Sequence, residues 1–184
     1  MIGITELIEI LAFLISLSFS IIILSRFWIT LDLKKFVMGI SFLIGGVSTA
    51  SAFLCNSINT LCYLKYSASL VIPLGLLAAA LMILTRYEKQ IALLFSLGVI
   101  LSLVLPHNEY KLLRILFSFS SALAAAALFL ITYLKTHEKK LLYLILSIAF
   151  FTISPVFYLT GLGFFIHYLF IILGLSIMFV IFLK

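Results

Sequence analysis

The sequence predicts an all-α, polytopic integral membrane protein. It would be one transmembrane domain over residues 1–184, a seven-helix bundle with its N-terminus outside and its C-terminus cytoplasmic. Three observations predict it. The chain is 65% hydrophobic and only 10% charged, with a mean hydropathy of +1.38, whereas soluble domains carry about a quarter charged residues. The apolar residues fall into long runs with no strand-like alternation, so each run can satisfy its backbone internally as a helix. Finally, the basic residues cluster in short islands between the runs, at 26–35, 85–90 and 136–140.

One bilayer crossing takes roughly 20 apolar residues, so seven crossings use about 140 of the 184. What remains suffices for turns, and any chemistry is expected within the membrane or at its faces. The expected helices are about 4–27, 36–58, 66–85, 88–105, 112–134, 141–159 and 161–183.

The first run begins beside Glu6 and Glu9 rather than the Lys or Arg of a secretory signal, and continues to Phe27, so it reads as a retained helix. The second carries small residues at helical spacing, Ser41, Gly45, Ser48, Thr49 and Ala52. The third has Gly75 and alanines at 78–80, and the fifth has Ser118, Ser121, Ala122 and alanines at 124–127. In lipid, small residues let helices approach closely, so the second, third and fifth are expected at the centre. The first, fourth and seventh, rich in Leu, Ile and Phe, are expected to face lipid or a partner. The fourth is the weakest span. Residues 91–105 reach only about 22 Å as a helix, although 88–90 add a turn.

Charge sets the orientation. With seven spans, one face collects Arg26, Lys34, Lys35, Arg86, Lys89, Lys135, Lys139, Lys140 and Lys184, and the other only Lys65, Lys111 and Arg114, nine against three. If the fourth run failed to cross, the division would be seven against five. The positive-inside rule favours seven. The net charge of +6 then lies wholly on the inner face, where anionic headgroups attract it, and no nucleic acid is needed to explain it. Tyrosines and the single Trp28 fall near the expected interfaces, as an aromatic belt does.

Two internal repeats suggest themselves. The alanine runs 78–80 and 125–127, each leading into a charged island, fit hairpins with a period near fifty. Ser18-Phe19-Ser20 and Ser118-Phe119-Ser120 instead fit a three-plus-one-plus-three scheme.

The chemistry that is missing narrows function. No ionisable residue is expected near the midplane, where pumps and ion-coupled transporters place them. Asp32 is the only aspartate, so a two-aspartate intramembrane protease is excluded, and no HExxH metal motif occurs. Seven helices with an outside N-terminus resembles receptor-type and sugar-transporter-type architectures. The proline–glutamine pair of the latter is missing, and architecture alone does not carry function.

Three features remain. Cys55 and Cys62 bracket an outer turn and are a candidate disulfide, set against the reading of two small apolar thiols. The outer face gathers Glu6, Glu9, His107, Glu109, Arg114 and His167, a candidate ligand pocket for a headgroup, a quinone-like molecule or a small polar solute. Ordinary interfacial polarity is the preferred reading of that set, and haem between His107 and His167 is disfavoured, because a bare histidine pair carries little information. Pro73 and Pro155 lie inside helices and are candidate hinges.

The leading expectation is a non-enzymatic accessory or scaffolding subunit of a larger membrane complex. Its expected partners are the bilayer and either other subunits or a second copy. The rival is a small transporter for an uncharged solute or lipid, and the third is an outer-face cofactor- or quinone-binding subunit. A prokaryotic plasma membrane is the expected location, given the short basic turns and the lack of glycosylation acceptors.

Overall fold

The computed structural model describes residues 4–54, 68–104, 111–159 and 164–183. The described residues form seven α-helices: α1 (Ile4–Thr30), α2 (Leu33–Leu54), α3 (Ala68–Leu84), α4 (Glu88–Val104), α5 (Lys111–Thr136), α6 (Lys139–Leu159) and α7 (Phe164–Leu183). Three segments are long and apolar enough to cross a membrane, Glu6–Thr30, Leu33–Ser51 and Leu116–Thr136. Leu70–Leu84 and Leu169–Ile181 are apolar but shorter.

Local chemistry sets two of the turns. Leu31 closes α1 with a left-handed φ of 52° and His137 closes α5 with 54°. In each case the amide donates to the carbonyl four residues back, Phe27 or Tyr133, at 2.7 Å, as in a helix C-terminal αL motif. Asp32 then caps α2, its Oδ1 accepting from the Lys34 amide at 3.0 Å. This cap explains why α2 starts at Leu33, ahead of the apolar run that begins at Phe36.

Contacts between helices fix the direction of several neighbours. Ser16 and Ser20 on α1 donate to the carbonyls of Phe42 and Gly39 on α2, at 2.7 and 2.8 Å. One number rises as the other falls, so α1 and α2 are antiparallel. Gly45 meets Ile72 and Gly75 meets Ser41, which makes α2 and α3 antiparallel as well. Gly75 lies near Phe95 and Gly98 near Leu74, so α4 reverses α3. Ser147 with Gly174 and Phe150 with Phe170 do the same for α6 and α7.

The helices pack as a closed ring in the order α1, α2, α3, α5, α6, α7, with α7 returning to α1. Helix α4 lies outside it, against α3 and α2. The ring is filled by Phe19, Ile23, Met38, Phe42, Leu76, Ala79, Ala80, Ala122, Ala125, Phe129, Leu141, Leu144, Ile148, Leu175 and Met178, drawn from all six members. A second cluster (Val37, Val71, Ala78, Met82, Phe95 and Val99) holds α4 to α2 and α3. Residues from both sides of the α1–α2 turn and both sides of the α5–α6 turn share the ring core, and Lys34 pairs with Glu88 at 3.0 Å. The turns at 31–32, 85–87 and 137–138 therefore lie at one end, the turn end, and the ring core fills the half nearest to it.

The expected centre of the bundle is only partly as found. α2 and α3 each have three neighbours, but α5 has two, no more than α1. Phe19 and Ile23 on α1 are 1% exposed, so a helix expected to face lipid also builds the core. Its other face does remain outward through Leu7, Leu11, Leu14 and Ile21.

Advancing three places round the ring maps α1, α2 and α3 onto α5, α6 and α7 and preserves every adjacency. The residues follow. With a shift of 106, buried Ala12, Ser16, Phe19, Ile23, Met38, Ser41 and Phe42 correspond to buried Ser118, Ala122, Ala125, Phe129, Leu144, Ser147 and Ile148. The same shift pairs the two left-handed residues, and pairs the Thr30–Arg26 hydroxyl bond of 2.8 Å with the Thr136–Thr132 bond of 3.0 Å. With a shift of 99, Gly75, Leu76 and Ala79 correspond to Gly174, Leu175 and Met178, all buried. Gly75 lies on Ser41, and Gly174 accepts from Ser147 at 2.7 Å, so equivalent glycines meet equivalent serines. The chain is thus two three-helix units joined by α4.

The three-plus-one-plus-three scheme is the one observed, but at a shift of 106 rather than the 100 of its motif match. Ser18 is exposed where Ser118 is buried, and Phe19 is buried where Phe119 is exposed, so that match is out of phase. The period-fifty scheme would equate α4 with α6, which occupy different positions, one outside the ring and one within it.

Candidate functional site

Of the candidate polar set, Glu6 and Glu9 and the helix turns that carry Arg114 and His167 lie at the end of the bundle opposite the turn end. Glu9 is on the stripe of α1 that also carries Ala12, Ser16, Phe19 and Ile23, and it is 8% exposed. Leu7 and Leu11 on either side of it point outward, so helical phase sets Glu9 facing inward. The α1–α2 register places it level with about residue 49 of α2, because Ser16 lies opposite Phe42. That part of α2 carries Ser48, Thr49 and Ser51, of which Ser48 and Ser51 are buried.

Two of these hydroxyls are already committed as donors. Thr49 Oγ1 donates to the Gly45 carbonyl at 2.9 Å, and Ser51 Oγ to that of Val47 at 2.7 Å. Ser16 Oγ donates across to Phe42. These oxygens keep lone pairs and no free proton. Glu6 is half-buried and engaged in an interaction of its own.

Arg114 lies in the first turn of α5 and His167 in the first turn of α7, both in helices of the ring; their side chains lie outside the described residues. His107, Glu109, Cys55 and Cys62 also lie outside the described residues. No family model, no curated protein and no solved structure matches this chain. Among the described residues, no group of three His, Cys, Asp or Glu comes together as a metal site.

The two prolines lie toward the same end. Pro73 is buried in the second turn of α3, where it removes the usual donor to the carbonyl of Ser69. Pro155 lies four residues before the end of α6.

The basic residues gather at the turn end. Arg86, Lys89, Lys135, Lys139 and Lys140 are exposed, and Arg26, Lys34 and Lys35 are half-buried. Lys34 pairs with Glu88, while Lys35 donates to Thr30 Oγ1 at 3.0 Å and lies 4.0 Å from Asp32. Such partly exposed pairs contribute about 0–1 kcal/mol, so their effect is to fix the turns rather than to stabilise the bundle. Trp28, Tyr87 and Tyr143 are exposed at this end, as aromatic rings at headgroup level are.

Sequence reasoning grouped Glu6 with Glu9 and missed the hydroxyls opposite them. The signal was present in Ser48, Thr49 and Ser51, but only the α1–α2 register reveals that they lie level with Glu9.

Proposed function

We propose that this is a seven-span plasma-membrane protein, N-terminus outside and C-terminus cytoplasmic, serving as an accessory or scaffolding subunit of a membrane complex. The observation that carries the functional part is the filled ring. Phe19, Phe42, Phe129, Ile148 and Met178 are each at most 1% exposed, so the turn-end half is packed side chain against side chain. Such a core suits a static support better than a solute path. The outward apolar residues of α4, Leu93, Leu94, Leu97, Ile100 and Leu101, suit lipid or a neighbouring subunit.

Alternating directions in α1–α4 and the basic turn end support the topology. Reporter fusions at 86–89 and 137–140 are expected to report the cytoplasmic side. Replacing Arg86 and Lys89 by Gln should erode that orientation, since the bias in Lys and Arg sets it; unchanged reporters in the variant would refute this role. For the scaffold itself, purification in mild detergent is expected to bring down other membrane subunits or a homo-oligomer. A monodisperse 20.6 kDa monomer with nothing bound would sink the idea.

A second reading, a carrier for a small uncharged solute or lipid, is favoured by one observation, the paired three-helix units. Parallel repeats occur in carriers whose halves rock about a central site. Here the filled core would have to open between α3 and α5 and between α7 and α1, the two seams where the units meet.

A further inference from the structure

We infer that Glu9 anchors a binding site for a monovalent cation, an alkali ion or the ammonium head of a solute, between α1 and the far half of α2. The inference goes beyond both functional readings and depends on neither.

A carboxyl group is a costly thing to bury in a bundle surrounded by lipid. Glu9 is more than nine-tenths buried, and among the described residues its carboxylate has no hydrogen bond or ion pair. Every described basic side chain lies at the turn end, at the other end of the bundle. An unpaired carboxyl at that depth is neutralised either by a proton or by a bound cation that the described chain does not supply, and the test below separates the two.

The surroundings select the sign of that charge. Thr49, on the α1-facing side of α2 and level with Glu9, has spent its hydroxyl proton on the Gly45 carbonyl, so its oxygen acts as an acceptor only. An anion would meet a carboxylate and lone pairs. A neutral solute with few donors would leave the carboxylate uncompensated. A cation satisfies both, because hard monovalent ions and ammonium groups take carboxylate and hydroxyl oxygens as partners. The internal repeat supports a special role here. In the second unit the position equivalent to Glu9 is Ile115, so the first unit holds a charge on the inward stripe that its counterpart lacks.

The test uses the full chain in a mild non-ionic detergent. Thermal unfolding is followed while sodium, potassium or methylammonium replaces choline at constant ionic strength and pH. A bound cation stabilises by mass action, so each tenfold rise above its dissociation constant should raise the midpoint by roughly 3–6 °C. Alkali ions and methylammonium tested separately distinguish an ion site from a solute headgroup site. Glu9→Gln should abolish the saturable rise. If that variant does not fold, Thr49→Val, which keeps the carboxylate and removes one oxygen, should move the titration to higher concentration. A midpoint that is the same in choline as in every small cation overturns the proposal. So does a cation response that survives Glu9→Gln, or a stability that follows pH alone, which would mark Glu9 as a simple protonated carboxyl.

Discussion

Gly75→Leu is expected to separate α2 from α3 and to destabilise the bundle by about 1–3 kcal/mol, the usual cost of overpacking. A Cβ built on Gly75 would fall 2.6 Å from Ser41 Cβ and still closer to its Oγ. Ser41 cannot swing clear cheaply, because its hydroxyl is held by the Val37 carbonyl at 2.6 Å and Phe42 beside it is fully buried. The obstacle is short and close to backbone, not the tip of a long side chain. Unfolding midpoints in detergent measure the loss. Gly75→Ala should show a milder form of it, and Ser41→Gly in the same chain should recover at least half, as a direct contact requires in a double-mutant cycle. Gly98→Ala is the control. Its Cβ would meet only Leu74 Cδ1, at 3.4 Å, and alanine favours a helix over glycine. That variant should be neutral or slightly stabilised, and a loss equal to that of Gly75→Ala would remove the close-approach explanation.

Phe42→Ala should cost roughly 2–3 kcal/mol. The ring is 0% exposed, meets Phe19 edge-on at 4.6 Å and lies 6.4 Å from Phe151 on the opposite side of the ring of helices. In water, losing a buried Phe costs about 3–5 kcal/mol through transfer and cavity terms together. In a membrane the separated helices keep their side chains in lipid, which is as apolar as the core, so most of the transfer term vanishes. What remains is the cavity, at about 24 cal/mol per Å³ over roughly 100 Å³. Leu97→Ala on α4, where Leu97 is 49% exposed, should change the midpoint little. Equal losses at Phe42 and Leu97 would mean that the core is not packed as described.

Much of the local structure could be read from the residues in order. Hydropathy marks the helices, and Asp32 and the charged island at 136–140 mark turns, because capping and chain reversal depend on neighbours in sequence. The candidate site was less accessible. Glu9 stands out as a charge in an apolar run, but the hydroxyls of α2 at its level are some forty residues away in sequence, and only the Ser16–Phe42 and Ser20–Gly39 contacts set that register. The repeat was nearly legible. Thr30, Asp32 and Lys34 recur as Thr136, Glu138 and Lys140, whereas the more conspicuous Ser-Phe-Ser match at 18–20 and 118–120 faces the wrong way in one of its two copies.

The sequence by itself determined an all-helical chain with segments able to cross a membrane and the places where it turns, since these follow from runs of apolar residues and from local capping. The tertiary structure decided that six helices close a ring, that α4 stays outside it, and that the two halves correspond at shifts of 106 and 99. The reason is the solvent. In water a hydrophobic residue signals the inside, but in lipid Leu, Ile and Phe suit the core and the periphery equally. Only steric fit, such as Gly75 against Ser41 or Phe42 against Phe19, distinguishes the two.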